Sequence, residues 1–334
     1  LSLRRLKTIM RRAFFRIVAL FLATAAISLT CFLYAYDRFV RPGPNVAQVN
    51  LLIDKGMSLG DIGELLEDQG LLDSRWDFIV GVRLAKSGRS LKSGEYVFPA
   101  RISAKGVMQI LKAGRTLVRR QTIPEGLTSF EVFKIVLDTY GLEGGMPPPA
   151  REGTLLPETY HYSWGDQRSA FVTRMDVAMD ELMAQEWPKR DSGLPLKSPK
   201  EALILASIVE KETALDGERS LVAGVFINRL NKGMRLQSDP TVVYGLTNGQ
   251  VSLGRTLTRK DLATKTLFNT YLIKGLPPGP ICNPGRLSID AVLHPKKTDA
   301  LYFVADGNGG HAFSKTLKQH NRNVAKWRKL KNGG

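Results

Sequence analysis

Two carboxylates, Glu210 and Glu212, close the apolar run LILASIVEKET at residues 203–213. A carboxyl withdrawn from water keeps its proton to higher pH, and one still protonated near neutrality can act as a general acid. The run follows Ser198-Pro199-Lys200-Glu201, which reads as a capping box with proline at the first helical position, so a helix is expected to begin there. Ala202 to Val209 are apolar or small on every face, which predicts that this helix is buried. At about 100° per residue, Glu210 falls near the line of Leu203, while Glu212 turns to the other side, toward the line of Leu205 and Ile208. Both prolong apolar stripes, so a raised pKa is expected of whichever stays buried, and the helical geometry does not choose between them. The plainer alternative is a helix end turning to solvent, with Lys211 paired nearby.

Polar side chains cluster downstream. Residues 221–246 predict a second helix carrying Asn228 and Arg229, then a loop with Gln237, Ser238, Asp239, Thr241 and Tyr244. Residues 268–295 add Asn269, Thr270 and Tyr271, and a loop whose prolines, Pro277, Pro278, Pro280 and Pro284, set the backbone around Asn283 in advance. Amides, hydroxyls and tyrosines are what a saccharide groove uses, although each taken singly reads first as a satisfied turn residue. LYFVADGNGGHAFS, 301–314, predicts a hairpin with a structural glycine-rich turn and no phosphate loop, since no helix follows the glycines as that loop requires. His161, His294, His311 and His320 lack metal-ligand spacing, so no metal site is expected.

These segments need a scaffold, and composition bounds it. The chain has 334 residues, 43% hydrophobic, enough for two folded units with appendages. The net charge of +17 is concentrated at the ends: residues 1–16 hold six basic side chains and 312–334 hold seven, thirteen of the surplus seventeen, with no acidic residue in either segment. Between the basic start and Asp37, IVALFLATAAISLTCFLYAY (17–36) is uncharged, long enough at about 1.5 Å per residue to cross the hydrocarbon of a bilayer. The basic flank predicts an N-terminus inside and the rest outside. A cleavable signal peptide is the rival, with Ala23-Thr24-Ala25 as a cleavage-site mimic, but the apolar run continues about three turns past it. Nucleic acid is then not an expected partner, and with Cys282 the one cysteine beyond the apolar segment, no intramolecular disulfide is expected.

Residues 37–48 are expected to be a linker, for RPGPNVAQ breaks and stiffens the chain. Residues 49–115 read strand, helix with Ser58 as N-cap, helix, strand, then a short helix ended by Gly114. The next unit opens with a strand, a turn at Pro124-Glu125-Gly126, and a helix capped by Thr128 with Glu131 at the box position. GLEGGMPPPA, 141–150, is expected as a flexible surface loop, and 168–186 as an amphipathic helix.

The order LASIVEKET, AGVFINRL, MRLQSDPTVVYGL, NTYLIKGLPPGPICNPG and LYFVADGNGGHAFSKTLKQHN resembles the YceG-like family of endolytic murein transglycosylases, and TIPEGLT and LLPETY fit the same pattern. Two positions depart from it: Glu158 stands where aspartate is expected, and Ser238 where threonine is common. The resemblance implies an α+β protein: basic cytoplasmic segment 1–16, transmembrane helix 17–36, linker 37–48, LysM-like β-α-α-β module 49–115 and mixed α/β catalytic domain 116–330. A spacer domain without ligand is the bland alternative for the module. It implies cleavage of the MurNAc-GlcNAc bond within peptidoglycan glycan strands to 1,6-anhydro ends, at the outer, periplasmic side of the inner membrane, without a cofactor. The implied acid is Glu210, with Gln237, Asp239, Thr241, Tyr244, Asn269, Tyr271 and Asn283 as groove contacts, Glu212 and Arg229 in support, and penicillin-binding protein synthases as partners. Asp239 and Glu212 stay open as a second carboxylate. The other readings are a non-catalytic peptidoglycan-binding scaffold and a muramidase that uses water.

Overall fold

The computed structural model describes residues 3–145, 148 and 150–332, and the chain divides into two compact units, Leu1–Val118 and Arg119–Gly334. The first begins with α1 (Leu3–Val40), a helix long and apolar enough to cross a membrane over Met10–Val40, with mean hydropathy 2.2. The helix does not stop at residue 36. It runs four residues into the expected linker because its last turn joins a core: Phe39 is buried and Arg38 grips Asp77 with two hydrogen bonds of 3.0 and 2.8 Å.

That core belongs to β1 (Val49–Ile53), α2 (Leu59–Asp68), α3 (Arg75–Leu84), β2 (Gly94–Phe98) and α4 (Ala104–Ala113), the order the turn and cap residues predict. β1 and β2 pair antiparallel, Val49 opposite Phe98 and Ile53 opposite Gly94. Leu51 and Ile53 alternate inward onto Leu66, Phe78, Tyr96 and Leu111. Ser58 and Asp61 complete a capping box on α2, and Gly114 ends α4 at φ 69°, a conformation that side chains with a Cβ resist.

The second unit opens with β3 (Val118–Thr122), which pairs with β4 (Thr159–Ser163); α5 (Ser129–Asp138), with its box of Thr128 and Glu131, lies between them in sequence. In the expected loop 141–150, Met146, Pro147 and Pro149 lie outside the described residues. Then come α6 (Arg168–Glu186), α7 (Pro199–Glu212), α8 (Asp216–Asn231), α9 (Asp239–Thr247), α10 (Arg259–Ala263), α11 (Arg286–Leu293), the hairpin β5 (Tyr302–Ala305) and β6 (His311–Ser314), and α12 (Leu317–Asn332).

α7 is the axis of this unit. Every residue from Ala202 to Val209 is buried, against α8, α11 and the tail of α6. Ser207 is accommodated in that apolar setting because its hydroxyl donates to the Ile204 carbonyl at 2.7 Å and accepts from the Ile281 N–H at 3.0 Å, which stitches the proline-rich loop to the helix. Half of the expected cap is relocated. Ser198 accepts from the Glu201 N–H at 3.3 Å, but with Ser198 extended at φ −151° the Glu201 carboxylate takes the Lys197 N–H at 2.7 Å instead. A second departure concerns 239–247, expected as loop: Pro240 starts α9 there, so Asp239, Thr241 and Tyr244 sit on a helix.

Candidate active site

The last turn of α7 sends its two carboxylates to different neighbours. Glu212 lines a cavity of about 560 Å³ together with Arg229 of α8, Gln237, Asp239 at the start of α9, Tyr271, the β5–β6 hairpin and α12. Its Oε1 accepts a short hydrogen bond from the Ser238 hydroxyl. Burial pushes the Glu212 carboxyl up to about 7, and the charge of Asp239 adds to that, while the Ser238 hydrogen bond and the neighbouring His311 and Arg229 pull the other way. Near neutrality this group is poised between its acid and its base.

Around it the polar groups are fixed. Tyr271 donates to Asp239 Oδ1 at 2.6 Å, and burial together with that bond makes its phenol harder to ionise. Gln237 is set at φ 51°, which places it in the cavity wall with its N–H on the Thr270 carbonyl at 3.2 Å. Arg229 donates to the Leu301 carbonyl at 2.7 Å and the Leu236 carbonyl at 2.5 Å, so the buried cation ties the hairpin to the segment before α9.

Glu210 is built differently. Its side chain is 6% exposed, Oε2 accepts from the Gly285 N–H at 3.0 Å, and Oε1 lies 3.7 Å from Arg219 Nη2. The same guanidinium nitrogen is 3.7 Å from Glu125 Oε2, while Arg219 Nη1 pairs with Asp216. Glu125 is held above its usual range by burial and by the nearby Glu210 charge. Residue 285 is glycine, and a Cβ there would lie 1.8 Å from Glu125 Oε1 with that side chain where it stands. Glu210 thus closes an ion cluster around the buried Arg219 that fastens the 124–128 turn and the 283–285 turn to the end of α7, and it is not among the residues lining the Glu212 cavity. Next to it, Lys211 donates to the Gly126 carbonyl at 3.1 Å.

Of the residues singled out in the sequence, the cavity therefore gathers Glu212, Arg229, Gln237, Asp239 and Tyr271. Asp239 also lines a neighbouring cavity of about 570 Å³, with Tyr244, Thr128 and Lys211, so the polar surface continues past the acid. Tyr244 donates to Glu152 at 3.2 Å. Thr241, Asn269 and Asn283 are fully buried and hold loops together. Asn283 accepts from the Leu155 N–H at 2.9 Å and donates to the Leu127 carbonyl at 3.0 Å; Asn269 donates to Leu262 and Thr264 carbonyls at 3.0 and 2.8 Å; Thr241 and Thr270 share a 2.8 Å hydroxyl bond. The sequence reading did not assign His311, Tyr302 or the α12 residues His320, Trp327 and Arg328 to the groove, and they line the same cavity. The signal available was the spacing of Leu317, Val324 and Trp327, which puts an apolar stripe on α12.

A partly protonated carboxyl recessed among amide, tyrosine, carboxylate and guanidinium groups defines a polar cleft built around an acid. The chain belongs to the YceG-like family, whose model matches residues 51–326. It is 30% identical over 315 residues to the endolytic murein transglycosylase of Bacillus subtilis, covering 85% of this chain and 86% of that protein. It is 28% identical over 326 residues to that of Streptococcus pneumoniae serotype 2, covering 83% of this chain and 58% of the longer streptococcal protein. Among solved structures, a YceG-like protein of Listeria monocytogenes aligns with a TM-score of 0.51 at 31% identity, covering 82% of this chain and 98% of that one.

Proposed function

We propose that this protein is an endolytic murein transglycosylase, a lyase that cuts the MurNAc-GlcNAc bond inside peptidoglycan glycan strands and leaves 1,6-anhydro ends. The names of the relatives support the reaction, and the carboxyl of Glu212, pushed up to about 7 in a polar cavity, supports the place where it happens. Glu212 is the acid in this reading, in place of Glu210. It protonates the leaving glycosidic oxygen while the C6 hydroxyl of the same muramic acid residue closes on C1, so the nucleophile comes from the sugar and no water is consumed. Gln237, Asp239 and Tyr271 bind the rings on either side of the bond, and Glu210 positions the turns that carry the end of α7.

The experiment digests purified glycan strands with the full chain in detergent and weighs the products. Wild type yields ends lighter by one water than reducing ends. Glu212→Gln loses activity by about 10²-fold or more while melting like a folded protein, and Glu210→Gln loses stability as well as activity. Reducing ends indicate a muramidase, and no cleavage by wild type leaves a binding scaffold. A Glu212→Gln variant as active as wild type ends the assignment of the acid.

The further parts of the reading are an α1 that anchors the chain in the inner membrane with its N-terminus cytoplasmic, a catalytic unit on the periplasmic side, a first module that holds glycan in the manner of LysM, and penicillin-binding protein synthases as partners. The apolar helix and its basic flank support the first of these; the antiparallel β1–β2 pair with two intervening helices supports the module.

A further inference from the structure

α3 has two apolar faces, and only one of them is buried. Phe78 and Val82 point into the core of the first module. On the opposite side Trp76, Val80 and Leu84, spaced i, i+4, i+8, are 56%, 38% and 55% exposed. At about 100° per residue the three fall within about 80° of one another, so they form one stripe and not three scattered positions. Single exposed apolar residues are ordinary on a small domain, but a helix that packs by one face has no folding use for a second. Cations frame this stripe: Arg83 is exposed in the last turn, and the Arg75 guanidinium lies 5.7 Å from the centre of the Trp76 ring.

The stripe borders the place where α1 joins the module. Asp77 takes both hydrogen bonds from Arg38, and Gly81 is the residue against which Phe39 packs. Around α3 these two lie about 100° and 140° from Trp76, next to Leu84 at about 80°. The contacts also fix the level at which α3 meets α1. The uncharged run 17–36 ends at Tyr36, and Arg38 and Phe39 follow about 3 and 4.5 Å further along the helix axis. The headgroup layer on each side of the hydrocarbon is about 5–7 Å deep. With α1 across a bilayer, the contacts to α3 therefore fall inside that layer, at the level where the exposed Tyr34 and Tyr36 settle. A tryptophan on an aliphatic line with arginines alongside suits that zone, because the indole N–H and the guanidinium stay hydrated while the aliphatic groups leave water.

We propose that α3 is a lipid-binding helix: Trp76, Val80 and Leu84 enter the headgroup layer of the bilayer that α1 spans, and Arg83 meets the lipid phosphates beside them. This inference rests on α1 as the membrane anchor. The lipid surface is the occupant, rather than a glycan or a second copy of the chain, because the stripe stands where α1 leaves the apolar core and cations flank it. The first module is then attached to the membrane at two places, through α1 and through α3.

Trp76 is the one tryptophan of the first unit, since Trp164, Trp187 and Trp327 belong to the second. The full chain is reconstituted into vesicles of phosphatidylcholine and phosphatidylglycerol with acyl chains brominated near the glycerol end, and the emission of Trp76 is taken as wild type minus Trp76→Phe. Expected is a blue-shifted emission that loses most of its intensity to the bromine, and loses less when the bromine is moved to the methyl end of the chains. Val80→Glu combined with Leu84→Glu restores the intensity, because both positions are exposed and the added carboxylates are repelled from the apolar layer; this variant melts like wild type in detergent. Emission of Trp76 that bromine leaves unchanged overturns the inference, as does quenching that survives the double substitution. If quenching is absent and Trp76→Phe weakens sedimentation with peptidoglycan, the stripe belongs to glycan instead; a blue shift that grows with protein density and ignores bromine assigns it to a second copy. A chain that alkaline carbonate strips from the vesicles removes the anchor reading and this inference with it, whereas a chain that stays bound with Trp76 unquenched overturns this inference alone.

Discussion

Glu212 is costly to the fold that carries it. Its folded-state carboxyl titrates near 7 against an ordinary value of 4.5, so between those values the native chain binds a proton that the unfolded chain has released. Stability is full below that window and falls as pH rises through it. Glu212→Gln removes the loss: its melting temperature matches wild type in acid and exceeds it above neutrality, by a free energy on the order of 3 kcal/mol at most. Thermal melts across pH decide this, and a difference independent of pH counts against it. The sequence raised Glu210 and Glu212 as equals because a helical angle describes only the helix. What separates them is the Ser238 hydroxyl on one and the Gly285 N–H on the other, and these arrive from 26 and 75 positions along the chain. Asn269 and Asn283 show a related ambiguity: the amides that suit a saccharide groove also satisfy buried loop carbonyls, and composition cannot tell one use from the other.

Element boundaries were readable where caps are local. Ser58, Thr128 and Gly114 sit at the ends they foretell, since a cap needs only its own turn. α9 was missed, although Asp239-Pro240 is itself a start signal, because the polar residues after it resemble a binding loop. Tertiary anchoring of turns was not readable at all, and the 283–285 turn illustrates it. Gly285→Ala drives a Cβ into Glu125, so that side chain must swing away from Arg219, at about 1 kcal/mol in stability. Adding Glu125→Ala recovers part of that cost, because the two changes share one contact. A double-mutant cycle in denaturant measures it, and strictly additive losses would show that the clash is absorbed elsewhere.

For the molecule as a whole, two units and a long apolar helix were legible from composition. The junction between α1 and the first module was not. Pro42 and Pro44 suggested a break directly after the apolar stretch, whereas the Phe39 ring packs against Gly81, where a Cβ would come within 2.0 Å of it. Gly81→Ala therefore dislodges the helix end and costs about 2–3 kcal/mol of buried aromatic surface; Phe39→Ala in the same background lets the alanine be tolerated. Melts of the full chain in detergent distinguish a shared contact from two independent losses.

A 38-residue helix rises about 57 Å, well beyond the roughly 30 Å of bilayer hydrocarbon. Because its final turn is clamped by Phe39, Gly81 and the Arg38–Asp77 pair, the helix and the module turn as one piece. Swivelling the module would mean spinning the helix, so the azimuth of one reports the azimuth of the other.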